Sequence, residues 1–261
     1  MRTSAAFTSI GSTRAMPVAF FAAFAVPAVA AAGTDGPVTA GGGLSSPGAM
    51  LLMLAALALV PFVIMMATSF VKISVVLAIV RNALGTQQIP PAAVITGLSV
   101  VLTMYVMAPV AHRMHAETTA AFAAQSRELS IGSVDDIFRA ATAGKEPLRE
   151  FLKQNTGGSE SRMLLSTARE RWGGDDRVSE GDFVVLVPAF VLTQLREGFR
   201  IGFCIYIPFL VIDLVLVNVL LALGMNMLPP ATISVPLKLL VFVAADGWSL
   251  IAKGLVDSFK G

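Results

Sequence analysis

Six ionisable side chains sit in the C-terminal third of this chain, within sequence otherwise apolar enough for lipid: Arg196, Glu197, Arg200, Asp213, Lys238 and Asp246. A charge at the centre of a membrane-spanning helix costs about 2.5–3.5 kcal/mol on insertion scales. Groups kept at that cost are functional or paired. Asp213 is the single charge between Ile201 and Met225, and Lys238 lies in the next apolar run. A proton relay would need further titratable groups beside them. Pairing between two arms of a helical hairpin, or with a neighbouring subunit, fits the sparse pattern better. Arg200 is a third candidate for helix or subunit pairing.

Other chemistry is thinly represented. His112 and His115 could share a helix face, but two ligands do not make a metal site and no nearby cysteine joins them. Cys204 is the only cysteine, so no intrachain disulfide is available. It reads as a small buried hydrophobe. No P-loop, dinucleotide fingerprint, G-x-S-x-G or H-E-x-x-H pattern occurs. An enzymatic role has no residues to rest on, and no cofactor or metal is implied. A net charge of +2, with scattered basic residues, gives no reason to invoke nucleic acid.

The stretch "LALGMNMLPP" (221–230) interrupts the most apolar half of the chain. Gly224 before it and Pro229–Pro230 after it shape a loop between two apolar arms. Methionine is unbranched and polarizable, suited to irregular or changing surfaces. Copies arranged in a ring would point Met225, Asn226 and Met227 at a common axis, where an apolar collar can gate by dewetting. The same residues could equally form a hairpin tip packed on their own subunit. Gly198 and Gly202 form a G-x-x-x-G step that lets helices approach closely. Arg200 inside the step argues for tight packing within an assembly over a lipid-facing dimer.

The elements that must position these residues are helical; strands have little support. With 55% hydrophobic and 14% charged residues among 261, the chain reads as membrane-like. Residues 1–32 resemble a signal peptide, and 33–48 a flexible linker. Residues 49–112 read as an N-terminal apolar hairpin: Met50 to Val71 is 22 residues without a charge, long enough for one span, and Ala92 to Ala111 is a second apolar run. Residues 113–182, with ten Lys/Arg and twelve Asp/Glu, read as a polar helical domain with loops at 155–161 and 172–176. Residues 183–261 form the C-terminal apolar half. Lys72 and Arg81, taken as flanking charges, would place that end in the cytoplasm and 113–182 in the periplasm. Pro188, Pro208, Pro229, Pro230 and Pro236 interrupt the helical hydrogen-bond ladder. Broken helices at membrane depth must be buried in protein or line a cavity.

Several stretches resemble one family: "TSFVKISVVLAIVRNALGTQQIPP" (68–91), "PLREFLKQ" (147–154) and the long block "VPAFVLTQLREGFRIGFCIYIPFLVIDLVLVNVLLALGMNMLPPATISVPLKLLVFVAADGW" (187–248). The chain is similar there to the FliP/SctR export-gate proteins of type III secretion, from about residue 50 to the end. The resemblance implies an all-α fold of integral-membrane-like helical hairpins with broken helices, assembling into a helical cone. It implies five copies of the chain, joined by FliQ/SctS-like, FliR/SctT-like, FlhB/SctU-like and FlhA/SctV-like subunits in the bacterial inner membrane, where membrane lipid is a further partner. The family's methionine loop, which narrows a channel for exported unfolded proteins, falls on Met225, Asn226 and Met227. Many relatives carry three methionines there, so Asn226 is a departure that places an amide in the collar. Phe151 falls in the region through which subunits associate. The injectisome branch is favoured over the flagellar one. A solute or ion transporter, or a passive membrane scaffold, is the alternative. A transporter needs convergent polar groups at the midplane, and here polar residues are few and dispersed.

Overall fold

A computed structural model describes residues 54, 58–59, 61–85, 90–123, 142, 144–171, 178–225 and 227–259. The expected signal peptide, the 33–48 linker, the 172–176 loop and Asn226 lie outside the described residues. Those described are helical or in short turns, with no strand among them. The helices are α1 (Pro61–Ala67), α2 (Phe70–Ala83), α3 (Ala92–Ala123), α4 (Lys145–Gln154), α5 (Gly158–Arg171), α6 (Phe183–Ala222), α7 (Ala231–Ala244) and α8 (Gly247–Asp257). Two of them, α3 and α6, are long and apolar enough to cross a membrane; the number rises to four if α1–α2 and α7–α8 each count as one bent span.

The described residues fall into two compact units, one within Met1–Met66 and Ala108–Phe151, the other within Ala67–Met107 and Leu152–Gly261. In the first, Val110, Met114, Leu148 and Phe151 are buried, with Arg113 Nη1 donating to Glu150 Oε2 at 3.4 Å on the surface. Residue 112, where the apolar hairpin was expected to give way to the polar domain, lies inside α3, which continues to Ala123.

The second unit is built on α2 and α6, which run parallel. Lys72 meets Glu197, Val75 lies against Gly198, and Ile79 lies against Gly202, so both numbers rise together. Ile73, Val76, Leu77 and Val80 form the inward stripe of α2 at three- and four-residue spacing. From α6, Leu186, Phe190, Gln194, Gly198 and Gly202 recur every fourth residue and are all buried, a row of the kind that packs ridge into groove. Helix α7 returns antiparallel to α6: Asp213 pairs with Lys238, and the rings of Phe209 and Phe242 lie 6.3 Å apart. Helix α5 joins through its preceding loop. The Gly157 N–H donates to Thr193 Oγ1 at 2.9 Å, and Gln194 Nε2 donates to the Asn155 carbonyl at 2.7 Å.

Three expectations change here. The charge-free run 50–71 does not end in one unbroken helix, because the helix is interrupted at Thr68–Ser69. There the Thr68 hydroxyl accepts the Phe70 N–H, the local competition by which such residues displace a helical bond. Pro188 and Pro208 do not end α6, nor Pro109 α3, nor Pro236 α7. Each deletes one ladder bond. The breaks fall instead at Thr68–Ser69 and at Ala245–Asp246, where α7 and α8 meet at 62°. Asp246 holds that bend in the left-handed region (φ 48°, ψ 47°), a conformation aspartate tolerates better than most residues, and its Oδ1 accepts from Ser249 Oγ at 3.0 Å. Finally, the 155–161 loop is shorter than its composition suggests, since α5 begins at Gly158.

Candidate functional site

The tip between α6 and α7 is closed by local rules. The Met225 N–H reaches the Leu220 carbonyl at 3.0 Å and the Gly224 N–H the Leu221 carbonyl at 3.0 Å. These two bonds are the Schellman arrangement, which needs a left-handed residue just past the helix end. Gly224 supplies it with φ 72°. Beyond the tip, the Pro229 and Pro230 carbonyls accept from Thr232, Ile233 and Ser234 and start α7. Between these two fixed ends Met225 is 41% exposed and Met227 fully exposed. Met225 and Met227 therefore leave thioether surface uncovered by their own chain.

Behind the tip, charge is buried together with the apolar core, while much other apolar surface is left outside. Lys238, 4% exposed, places its Nζ 2.5 Å from Asp213 Oδ2 and 3.2 Å from the Ala83 carbonyl. One ammonium thus joins α6 to α7 and sits on the C-terminal end of α2, where the helix dipole favours a cation. A second such node was missed by sequence reasoning. Lys72, 1% exposed, lies 2.7 Å from Glu197 Oε2 and 4.0 Å from the centroid of the Phe259 ring, and it donates to the Ser258 carbonyl and hydroxyl at 3.5 and 3.4 Å. It lies inside α2 as a buried, paired group and not beyond a helix end. A lysine within the apolar run 70–80 was the available signal.

The remaining site residues separate. Gly198 and Gly202 bring α6 against α2 of the same chain; a Cβ on Gly202 would stand 2.4 Å from Ile79 Cδ1. Arg200 is exposed and has no ion-pair partner among the described residues. Phe151 is 3% exposed within its own unit, so the single chain does not present it to a neighbour. Cys204, expected to be buried, is exposed on α6. His112 and His115 acquire no third ligand: among the described residues no three His, Cys, Asp or Glu side chains gather as a metal would require. At the polar end of α6, Arg196 Nη1 donates to Glu160 Oε1 at 2.6 Å. The Ser159 hydroxyl, then this guanidinium, hold the Glu160 carboxyl down at about 2.

On α6 the exposed residues include Phe199, Phe203, Ile207, Leu210, Leu214 and Val219. Buried lysines inside and aromatic side chains outside invert the distribution of a water-soluble domain.

The model of the FliP family matches residues 53–255. The chain is 45% identical over 213 residues to the probable translocation protein y4yL of Sinorhizobium fredii, covering 81% of this chain and 93% of that one. It is 42% identical to Yop proteins translocation protein R of Yersinia pestis, covering 81% and 96%. It is 41% identical to the flagellar biosynthetic protein FliP of Pectobacterium carotovorum, covering 80% and 77%. The matched span takes in every described helix that carries a buried lysine, the α6 glycine step and the methionine tip, and on that ground the chain belongs to the FliP family.

Proposed function

We propose that this chain is a subunit of the type III secretion export gate in the bacterial inner membrane, and that copies of it surround the passage taken by unfolded substrates. The observation that carries the reading is the inverted burial of the α2–α6–α7 unit. Lys72, Lys238 and Gln194 are enclosed, while the outer face of α6 presents Phe199, Phe203, Ile207 and Leu214. A chain built this way is completed by other apolar surfaces. Five copies, with FliQ/SctS-like and FliR/SctT-like subunits on their flanks and FlhB/SctU-like and FlhA/SctV-like subunits beside them, supply those surfaces. The 113–182 region lies on the periplasmic side. Identity to the Yersinia and flagellar relatives is nearly equal, and the translocation, hypersensitivity and harpin-secretion names that prevail among the relatives favour the injectisome branch.

In this reading Met225, Asn226 and Met227 of each copy meet at the constriction. Gly224, Pro229 and Pro230 fix the loop, and the Asp213–Lys238 pair ties together the two arms behind it. The side chains move no proton and form no bond; they exclude water at rest and yield to a passing polypeptide, and the driving energy comes from partner subunits. Met225→Ala combined with Met227→Ala widens the collar. The expected result is raised ion conductance of the inner membrane with secretion retained at least in part. Unchanged conductance in a correctly assembled double variant would overturn the assignment of the seal. Native mass spectrometry of the detergent-extracted complex tests the assembly itself, and a lone monomer would refute it.

A further inference from the structure

Among the described residues, the Ser69 hydroxyl and the Gln194 side-chain oxygen are both buried without a hydrogen-bond partner. Ser69 and Gln194 are each 0% exposed. Turning the Gln194 amide over does not cure this. Its Nε2 donates to the Asn155 carbonyl at 2.7 Å, and a carbonyl has no proton to give back, so the oxygen is the end left over. Ser69 stands at the break before α2, and its hydroxyl makes no cap bond to the helix it precedes. The neighbouring Thr193 hydroxyl shows the ordinary state of a buried polar group: it donates to the Ala189 carbonyl at 2.8 Å and accepts the Gly157 N–H at 2.9 Å. Native interiors rarely leave such groups unpaired.

The packing of α2 on α6 brings the two groups to one level. Lys72 of α2 meets Glu197 of α6, and a Cβ on Gly198 would stand 3.5 Å from the Lys72 carbonyl. The helices run parallel, so three residues back along each, about 4.5 Å, stand Ser69 and Gln194. We infer that one internal water molecule bridges them, accepting from the Ser69 hydroxyl and donating to Gln194 Oε1. The chemistry selects the occupant, which has to accept one hydrogen bond and donate another. A halide has no proton to donate, and an ammonium has no lone pair to accept with. A metal cation would find two neutral oxygens on these side chains, with the Lys72 ammonium one turn away. The carboxylate nearest along α6, Glu197, is already engaged by that ammonium. Enclosure on all sides admits only a small molecule. Buried waters occupy sites of this kind, among polar groups that otherwise lack partners. The site belongs to the fold of the single chain and does not rest on the export-gate reading.

The test uses the full chain as extracted from the membrane in detergent. A cryo-EM map at a resolution that shows ordered water should place a density peak at hydrogen-bonding distance, about 2.7–3.2 Å, from both Ser69 Oγ and Gln194 Oε1. Direct contact between the two atoms, a side chain from elsewhere in the position, or a peak bound to one atom alone overturns the bridge. Thermal melting supplies a second measurement. Ser69→Ala removes one anchor of the water and leaves Gln194 Oε1 poorly served, so the melting temperature should fall by roughly 2–12 °C. In a Gln194→Met background, where the bridge is already lost, the same change should lower it by much less. A hydroxyl with no partner gives the opposite sign, because its removal relieves an unmet polar group. An unchanged or raised melting temperature for Ser69→Ala, or an equal loss in both backgrounds, therefore overturns the proposal. These outcomes leave the export-gate reading where the conductance and native mass measurements put it.

Discussion

Removing either member of the Asp213–Lys238 pair breaks the same contact, yet the two changes should not cost the same. The Lys238 ammonium is enclosed, whereas the Asp213 side chain is about a third exposed (36%). Asp213→Asn keeps the shape and removes the negative charge, leaving an ammonium in the interior with only neutral acceptors, the Ala83 carbonyl and the Asn amide oxygen. An uncompensated buried charge of this kind costs about 3–5 kcal/mol. Lys238→Met removes the cation together with its desolvation penalty and fills the space with apolar atoms. What remains is a carboxylate that can turn outward and a carbonyl without its donor, about 1–3 kcal/mol. For a chain of this size each kcal/mol moves the melting temperature by roughly 2–4 °C. Asp213→Asn should then lower Tm by roughly 6–20 °C and Lys238→Met by roughly 2–12 °C, read from Trp fluorescence of the detergent-solubilised complex. The double variant should melt no lower than Lys238→Met, since the stranded charge is gone. A lower Tm for Lys238→Met than for Asp213→Asn, or a double variant in which the two losses simply add, would refute the claim that the burial of Lys238 sets the energetics of this node.

Other outcomes follow from single contacts. Gly202→Ala should destabilise the α2–α6 packing by about 1–3 kcal/mol, and Ile79→Val should restore part of the loss by removing the Cδ1 atom that a Cβ would strike; no rescue in a thermal melt would place the clash elsewhere. Gly224→Ala should cost about 1–2 kcal/mol, because φ 72° is left-handed, and Gly224→Asn less; equal melting of the two variants would contradict the strain argument. Glu160 titrates at about 2 in the folded chain against 4.5 for the free group. Between those values the unfolded chain binds more protons, so the stability the folded carboxylate contributes is present above about 4.5 and is lost as the pH falls toward about 2. The melting difference between the parent chain and Glu160→Gln should accordingly be larger at pH 6 than at pH 2.5. A difference independent of pH would show that the carboxylate charge does not carry it.

Much of this was legible because apolar helices announce themselves by composition and length. The run around 92–111 and the second half from Phe183 emerge as α3 and α6, and the glycine–proline punctuation around 224–230 marks a true reversal. Local signals failed where tertiary packing decides. Lys72 reads as a flanking charge because nothing near it in sequence reveals Glu197, Ser258 or Phe259, all of which reach it only through the fold. The glycine step at 198 and 202 looks like a contact between subunits until Ile79 is seen to fill it. Prolines inside α6 and α7 read as breaks, yet each costs one bond of a long ladder, and the true interruptions come from Thr68–Ser69 and the Asp246 bend. Cys204 was assigned to the interior by residue type alone, and its place on the outer side of α6 follows from which face Gly198 and Gly202 commit to α2.

The parallel pairing of α2 with α6 has a consequence in time. Lys72 is synthesised early, but Ser258, which accepts its hydrogen bonds, follows 186 residues later. At about 5–20 residues per second that interval is roughly 9–37 s. For the first 125 of those residues the ammonium lacks its carboxylate, Glu197, and for all of them it lacks its carbonyl, so α2 cannot settle into its final surroundings until Ser258 has been made. Helix α2 must wait in a hydrated or chaperoned state, and the arrival of the turn that carries Ser258 is the event that lets it close against its partners.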